Sequence, residues 1–264
     1  MTARRFRTLP AVRGFDRVAE AYERGRPGYP VRAVRHLGRV LRIGPDRTVV
    51  ELGSGTGKFT RALRPLGAAH VAIEPLPGMR VVSARVVPDV AVLPGTAESI
   101  PLPNGFADAV VAAQSFHWFR PRPALREIAR VLRPGGGLGL VWNIRDESVD
   151  WSRRLSDIFD RYHHRIPTDR RERWGPVFDR ADSPFGPLHV RRFRYVQELT
   201  RAEAVGRVLS VSVIAILPAT ERRRVADEVR ALVARNLGAR GRRRLALPYW
   251  TEVYWTFREP GFRR

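Results

Sequence analysis

The segment Glu51-Leu52-Gly53-Ser54-Gly55-Thr56-Gly57-Lys58 sets an acid, three alternating glycines and a lysine at the end of a β-branched run. Glycines at that place leave backbone N–H groups bare, at the carboxyl edge of a sheet where open α/β folds bind small ligands. A phosphate-binding P-loop needs Gly, four residues, then Gly-Lys-Ser/Thr. Here Leu52 stands five before Gly57 and Phe59 follows Lys58, so that chemistry is excluded. A dinucleotide fingerprint, Gly-x-Gly-x-x-Gly, is met at Gly53 and Gly55 but finds Lys58 in its third place. Glu74, 23 residues after Glu51, stands where an acid accepts from both hydroxyls of a ribose. His117 follows a strand and is the candidate general base; the alternative is that it packs with Trp118 and orients a substrate. The adjacent pair His163-His164 lacks metal-ligand spacing, and no metal constellation is visible. There are no cysteines, which excludes thiolate nucleophiles, iron–sulfur clusters, disulfides and cysteine zinc sites.

These residues need a scaffold, and the hydrophobic pattern describes one. Short buried strands are expected at Thr48–Leu52, His70–Ile73, Val90–Leu93, Ala107–Ala113 and Leu138–Trp142. Helical spacing falls between them, at Phe59–Leu66, Val81–Val87 and Pro123–Leu132. Strands alternating with helices imply βαβ units and a parallel, doubly wound sheet. Helices Phe15–Tyr22 and Val31–Leu41 precede it, separated by the breaker run Arg26-Pro27-Gly28-Tyr29-Pro30. Beyond residue 146, helices are expected over 150–165, 200–215 and 219–236. Late strands at Val190–Tyr195 and Tyr249–Phe257 would complete the sheet in antiparallel fashion, beneath a helical cap. The alternating aromatics Tyr249, Trp250, Tyr254 and Trp255 read as sheet core.

The pattern Glu-x-Gly-x-Gly-x-Gly at 51–57 resembles motif I of the class I S-adenosylmethionine-dependent methyltransferases. Further motifs follow in that family's order. Glu74 ends the second strand, Gly95-Thr96-Ala97-Glu98 looks like the adenine-contacting turn, and Leu132-Arg133-Pro134-Gly135-Gly136 looks like the turn before strand five. Thr96 stands where the family often has Asp, leaving the Ala97 amide as the contact. Phe15-Asp16, Ala21-Tyr22, Arg26 to Pro30, Gln114 to Phe119 and Trp142 to Asp146 resemble the type 11 branch, which includes trans-aconitate methyltransferase-like enzymes of small-molecule metabolism. The resemblance implies a Rossmann-like, mostly parallel seven-stranded sheet with an antiparallel C-terminal strand pair. Residues 1–44 would form a helical lid, 45–147 the S-adenosylmethionine-binding core, and 148–264 the cap and sheet completion of the same domain. It implies cofactor contacts from Glu51, Gly53, Ser54, Gly55, Gly57, Glu74, Thr96, Ala97 and Gln114. The acceptor side would draw on Tyr22, Arg26, Trp118, Trp142, Asn143 and Arg145, with Arg145 either clamping an acidic substrate or pairing with Asp146 or Glu147.

Charge is the unusual number: 48 Lys and Arg against 26 Asp and Glu, a net +22. Residues 1–150 hold 23 of the basic side chains and the remainder of the chain 25, so no arm or tail collects them. All but Lys58 are arginine, a bias that reads as genome composition more than as a polyanion surface. Local clusters at Arg222–Arg224 and Arg242–Arg244 are where a nucleic-acid surface would lie. No Lys or Arg occurs between Arg85 and Arg120, a gap that spans the adenine turn and Gln114. A cofactor bearing a sulfonium and an ammonium suits that gap, although buried strands exclude charge in any case. The expected function is methyl transfer to a small-molecule acceptor, with oxygen favoured and a carboxylate or hydroxyl as the acceptor group. The alternatives are a nucleic-acid methyltransferase, which lacks an Asn/Asp-Pro-Pro-Tyr motif here, and a non-catalytic cofactor-binding subunit. No apolar run approaches the ~20 residues of a membrane span, and no secretory signal is visible, so a cytoplasmic location is expected.

Overall fold

The computed structural model describes residues 19–163, 171–238 and 243–260. Seven strands form one sheet in the order β3-β2-β1-β4-β5-β7-β6. They are β1 (Thr48–Leu52), β2 (Ala69–Ile73), β3 (Ala91–Leu93), β4 (Ala107–Ala113), β5 (Leu132–Arg145), β6 (His189–Leu199) and β7 (Leu245–Phe257). The β3-β2-β1-β4-β5 pairings are all parallel, whereas β7 runs antiparallel to both β5 and β6. The central strands read Thr-Val-Val-Glu-Leu and Ala-Asp-Ala-Val-Val-Ala-Ala because both of their faces are covered.

Side chains alternate across the sheet and fill two layers. On one face Val50, Leu52, Val110 and Leu140 pack against Leu125 and Ile128 of helix α5 (Pro121–Val131). On the other, Val49, Val111 and Val141 meet Leu37 and Leu41, from the end of α2 (Val31–Val40), and Phe59 and Leu63 of α3 (Lys58–Leu63). Helix α1 (Ala19–Gly25) and helix α4 (Pro77–Val86) lie at the carboxyl edge, where Ala19 joins Leu76, Met79 and Val82. The cap is built by α6 (Asp150–His163), the short α7 (Arg171–Trp174), α8 (Arg201–Leu209), the one-turn α9 (Ser212–Ala215) and α10 (Ala219–Gly238). Leu155 and Phe159 of α6, Val208 of α8, and Val229 and Val233 of α10 share an apolar cluster with Leu247 and Tyr249 of β7.

Three expected boundaries shift for identifiable reasons. Strand β5 begins at Leu132, directly from α5, because the Gly-rich run is absorbed as a bulge: Ala107 pairs with Leu132 and Ala109 with Gly137. Helix α4 starts at Pro77, whose fixed φ suits the first helical turn. The helix expected over 200–215 is broken after Leu209, where the Ser210 hydroxyl bonds back to the Arg207 carbonyl at 2.8 Å. At its start, Thr200 and Glu203 form a capping box at 3.2 and 2.7 Å. The start of the expected N-terminal helix and His164 lie outside the described residues.

Candidate active site

The order of the strands reverses at β1: the chain moves outward to β2 and β3, then returns to place β4 on the other side. A crevice therefore opens beyond the carboxyl ends of β1 and β4. The glycine loop bounds it. Gly53, Gly55 and Gly57 have φ of +65°, +58° and +83°, a region open to glycine and strained for side chains. A Cβ on Gly53 would stand 2.8 Å from the Ser115 Cβ, while one on Gly55 would point into open space. The larger cleft encloses about 720 Å³, with Gly53, Gly55, Glu74, Met79, Thr96, Ala97, Gln114, Trp118 and Phe119 among its walls. Among the described residues, the charged ones lining it are Glu74 and Glu98.

Glu74 is the electrostatic centre of this cleft. Its carboxylate accepts the Gly55 N–H at 2.8 Å and the Leu76 N–H at 2.9 Å. Burial outweighs those two hydrogen bonds and pushes its pKa from 4.5 up to about 7. Gln114, at the end of β4, holds a φ of +55° with its N–H on the Val141 carbonyl at 2.8 Å. The turn opposite is closed by Thr96 and Ser99, each donating its N–H to the other's carbonyl.

A second, more polar cavity of about 480 Å³ adjoins the first and shares Tyr22, Gly53, Gly55 and Gln114 with it. Arg26, Tyr29, Glu51, Ser54, Lys58 and Asn143 also line it. The buried Glu51 carboxylate accepts the Thr60 hydroxyl at 2.7 Å, and the Ser54 hydroxyl is buried without a hydrogen-bond partner. Asn143 ties the N-terminal segment to the sheet: its Nδ2 donates to the Gly28 carbonyl at 2.8 Å, and its Oδ1 accepts from Thr251 at 2.6 Å. Helix α1 is fastened over the loop by Glu23, which accepts from Thr56 Oγ1 at 2.5 Å and pairs with Lys58 and Arg61 at 3.3 and 3.2 Å.

The methyltransferase-domain family profile matches residues 50–140, which supply most of the lining of both cavities. An uncharacterized methyltransferase of Mycobacterium tuberculosis, Rv3342, is 40% identical over 239 residues, covering 90% of this chain and 92% of the relative. The chain belongs to the methyltransferase family. Two more distant relatives match over half the chain or less. The malonyl-[acyl-carrier protein] O-methyltransferase of Serratia marcescens is 34% identical over 45% of this chain and 49% of the relative. The demethylmenaquinone methyltransferase of Mycobacterium bovis is 38% identical over 47% and 54%. Among solved structures, the YcgJ protein from Bacillus subtilis shares the fold, with a TM-score of 0.56 at 16% identity, covering 87% of this chain and 99% of that one.

The methyltransferase brings most of the sequence-predicted site residues to the paired cavities and leaves four elsewhere. Gly57 lines neither cavity; its missing Cβ would meet Ser83 and Val87, so it serves the packing of α3 against α4. Trp142, expected on the acceptor side, points to the opposite face of β5 from Asn143 and stacks on Trp174 at 4.3 Å in the core. His117 lines neither cavity, and its Nδ1 accepts the Trp142 Nε1–H at 3.3 Å. An indole nitrogen only donates, so the lone pair of His117 Nδ1 faces the core and not an acceptor proton. Arg145 lies under the cap, its guanidinium 4.5 Å from the Phe159 ring centroid and its Nε on Ser156 Oγ at 2.8 Å. Its neighbour Asp146 accepts the Ser148 N–H and hydroxyl at Oδ1, at 3.2 and 2.6 Å.

Sequence reasoning missed Glu23, Ser115 and Arg207. Ser115 Oγ donates to the Leu52 carbonyl at 2.8 Å and closes the space beside Gly53. Arg207 is buried at the cap–α1 junction, and its place three residues after Ala204 on an amphipathic helix was the available signal. Among the described residues no cluster of acids and histidines could hold a metal, and no helix is long and apolar enough to cross a membrane.

Proposed function

We propose that this methyltransferase draws on S-adenosylmethionine, bound across the paired cavities, to methylate a small-molecule acceptor, with oxygen of a carboxylate or hydroxyl favoured. The larger cleft carries this reading: in a chain of net charge +22, it presents a buried carboxylate and, among the described residues, no Lys or Arg. That donor set suits a nucleoside bearing a positive charge and suits a pyrophosphate poorly. Glu74 would accept the ribose hydroxyls, with the Thr96–Ala97 turn against the adenine. Gln114, Ser54 and Glu51 would meet the amino-acid end, where the partnerless Ser54 hydroxyl and the open face of Gly55 leave room for a polar ligand.

When bound, S-adenosylmethionine supplies an electrophilic methyl group whose leaving sulfur departs neutral. The protein's task is then alignment and exclusion of water, and orientation of this kind can lower a barrier by roughly 7–11 kcal/mol. Tyr22 and the α1 helix close the cleft from above, while Asn143 holds the Gly28 backbone in place at its rim. Among the described residues no histidine lines either cavity, which supports an acceptor needing no base, such as a carboxylate already ionised at neutral pH. The malonyl-[acyl-carrier protein] relative is an O-methyltransferase by name, which supports oxygen.

Calorimetric titration with S-adenosylhomocysteine tests the reading. Wild type should bind, and Glu74→Ala should weaken binding by about 100-fold, corresponding to ~3 kcal/mol. Absence of binding in the folded wild type, or binding of NADH in its place, would overturn the assignment.

A further inference from the structure

Neither the fold nor methyl transfer accounts for Arg207. It is 4% exposed, on α8 between the buried Val205 and Val208, with its guanidinium carbon 6.0 Å from the Phe159 ring centroid. Its Nε and Nη1 are buried without hydrogen-bond partners. Arg26 enters the same junction from the end of α1, its guanidinium 4.7 Å from the Tyr22 ring centroid and its Nε also buried and partnerless. The two elements touch closely: a Cβ on Gly25 would stand 3.0 Å from the Arg207 Cα. Burial, and next the charge of Arg207, lower the Arg26 pKa to about 10. Arg145, resting on the same Phe159 ring, adds to the positive potential felt by Arg26. Among the described residues no carboxylate pairs with Arg26 or Arg207.

Two buried guanidinium groups repelling each other, with donors unmet, are costly unless a negative charge arrives to join them. Planar guanidinium forks match the two oxygens of a carboxylate. Arg26 also lines the polar cavity beside Gln114 and Asn143, so the pair meets that cavity through Arg26. We propose that Arg26 and Arg207 anchor a carboxylate of the acceptor, so that this methyltransferase acts on an organic acid. The proposal rests on the functional reading above. S-adenosylmethionine carries a carboxylate of its own, and the test separates the two sources.

The full chain, saturated with S-adenosylhomocysteine, is titrated calorimetrically with succinate, glutarate and citrate at matched ionic strength, as wild type and as Arg207→Met. Wild type should bind at least one acid, and the variant should bind it about tenfold or more weakly while keeping its S-adenosylhomocysteine affinity within about twofold. The ligand-free variant should melt no lower than wild type, because methionine replaces a charge that has no partner. Acids that bind the variant equally well, or that bind neither protein while S-adenosylhomocysteine binds, would overturn the proposal. So would a variant that loses S-adenosylhomocysteine, which would make the cofactor's carboxylate the ligand of Arg207, or one that melts markedly lower. Failure of the methyltransferase reading itself looks different: wild type would not bind S-adenosylhomocysteine at all.

Discussion

Glu74 couples the pH of the medium to the cofactor cleft. Its pKa rises from 4.5 to about 7 because burial outweighs the N–H groups of Leu76 and Gly55. The folded chain therefore holds this proton more tightly than the unfolded one. The stability Glu74 contributes is full below pH 4.5 and is lost as pH rises toward about 7. On the proposed reading ribose hydroxyls would donate to the ionised form, so binding would carry the opposite sign. S-adenosylhomocysteine affinity should climb across that interval and level off above it, and Glu74→Gln should flatten the profile. A wild-type profile already flat from pH 5.5 to 8 would show that this carboxylate does not receive the ribose. The glycines of the loop make a second, paired prediction. Alanine at either Gly53 or Gly55 adopts a left-handed φ at about 1–2 kcal/mol, but only at Gly53 does it also strike Ser115. Gly55→Ala should lose ligand affinity with a modest fall in melting temperature, whereas Gly53→Ala should lose both. These residues were legible in the sequence because each is read from local order: strand, glycines, acid. Trp142 and His117 were not, since which face of β5 a side chain takes depends on register with β4 and β7, and only the fold sets that register.

At the scale of elements, α1 stands between the cleft and solvent. Ala19 packs on Leu76, Met79 and Val82, and Glu20 pairs with Arg85. The fastening is stronger at Glu23, where Thr56, Lys58 and Arg61 converge from the glycine loop and α3. Glu23 and Lys58 are only 15% and 14% exposed, so their attraction is less screened than that of a surface pair. The Lys58 backbone partner strengthens the join, with Nζ on the Glu23 carbonyl at 2.6 Å. As the proposed lid, this helix would have to lift for ligand to exchange. Glu23→Gln should speed S-adenosylhomocysteine dissociation by about tenfold, a cost of ~1.4 kcal/mol, and should change association less. Stopped-flow release of the ligand measures it; a rate equal to wild type would mean that α1 does not gate the site. Combining Glu23→Gln with Lys58→Met should fall short of the sum of the two changes, since they share the Glu23–Lys58 ion pair, while Thr56, Arg61 and the Glu23 carbonyl are touched by only one of them. The sequence marks the parallel strands clearly because β1 and β4 are short apolar runs ending at glycine or polar residues. The fastening of α1 spans more than thirty residues of chain, and nothing in the local pattern of Glu23 announces its partners. Likewise the broken helix at Ser210 followed from a side-chain bond that periodicity does not register.

The whole molecule combines a net charge of +22 with a larger cleft that, among the described residues, has no basic side chain in its walls. Much of the arginine excess is spent at the surface, where Asp108 holds Arg47 and Arg133 at 2.9 and 2.7 Å, Arg161 meets Glu228, and Arg192 meets Glu252. On α10, Arg222, Arg223 and Arg224 are exposed and follow one another without gathering into a groove. A surface of this kind attracts polyanions from any direction without reading them. If charge were the working feature, cofactor and substrate recognition would weaken together with added salt. The expected behaviour separates them. RNA or DNA, where it binds at all, should fall away by about 10³-fold or more between 50 and 200 mM salt if several phosphates are contacted. S-adenosylhomocysteine, held by a buried carboxylate and backbone groups, should change by less than about twofold across the same range, because buried interactions are screened little. Replacing Arg222, Arg223 and Arg224 with glutamine should lower the nucleic-acid affinity and leave S-adenosylhomocysteine binding unchanged. Methyl incorporation into nucleic acid, lost in that triple variant, would instead make the arginine surface part of the acceptor site and turn the enzyme's substrate class from small molecule to polymer.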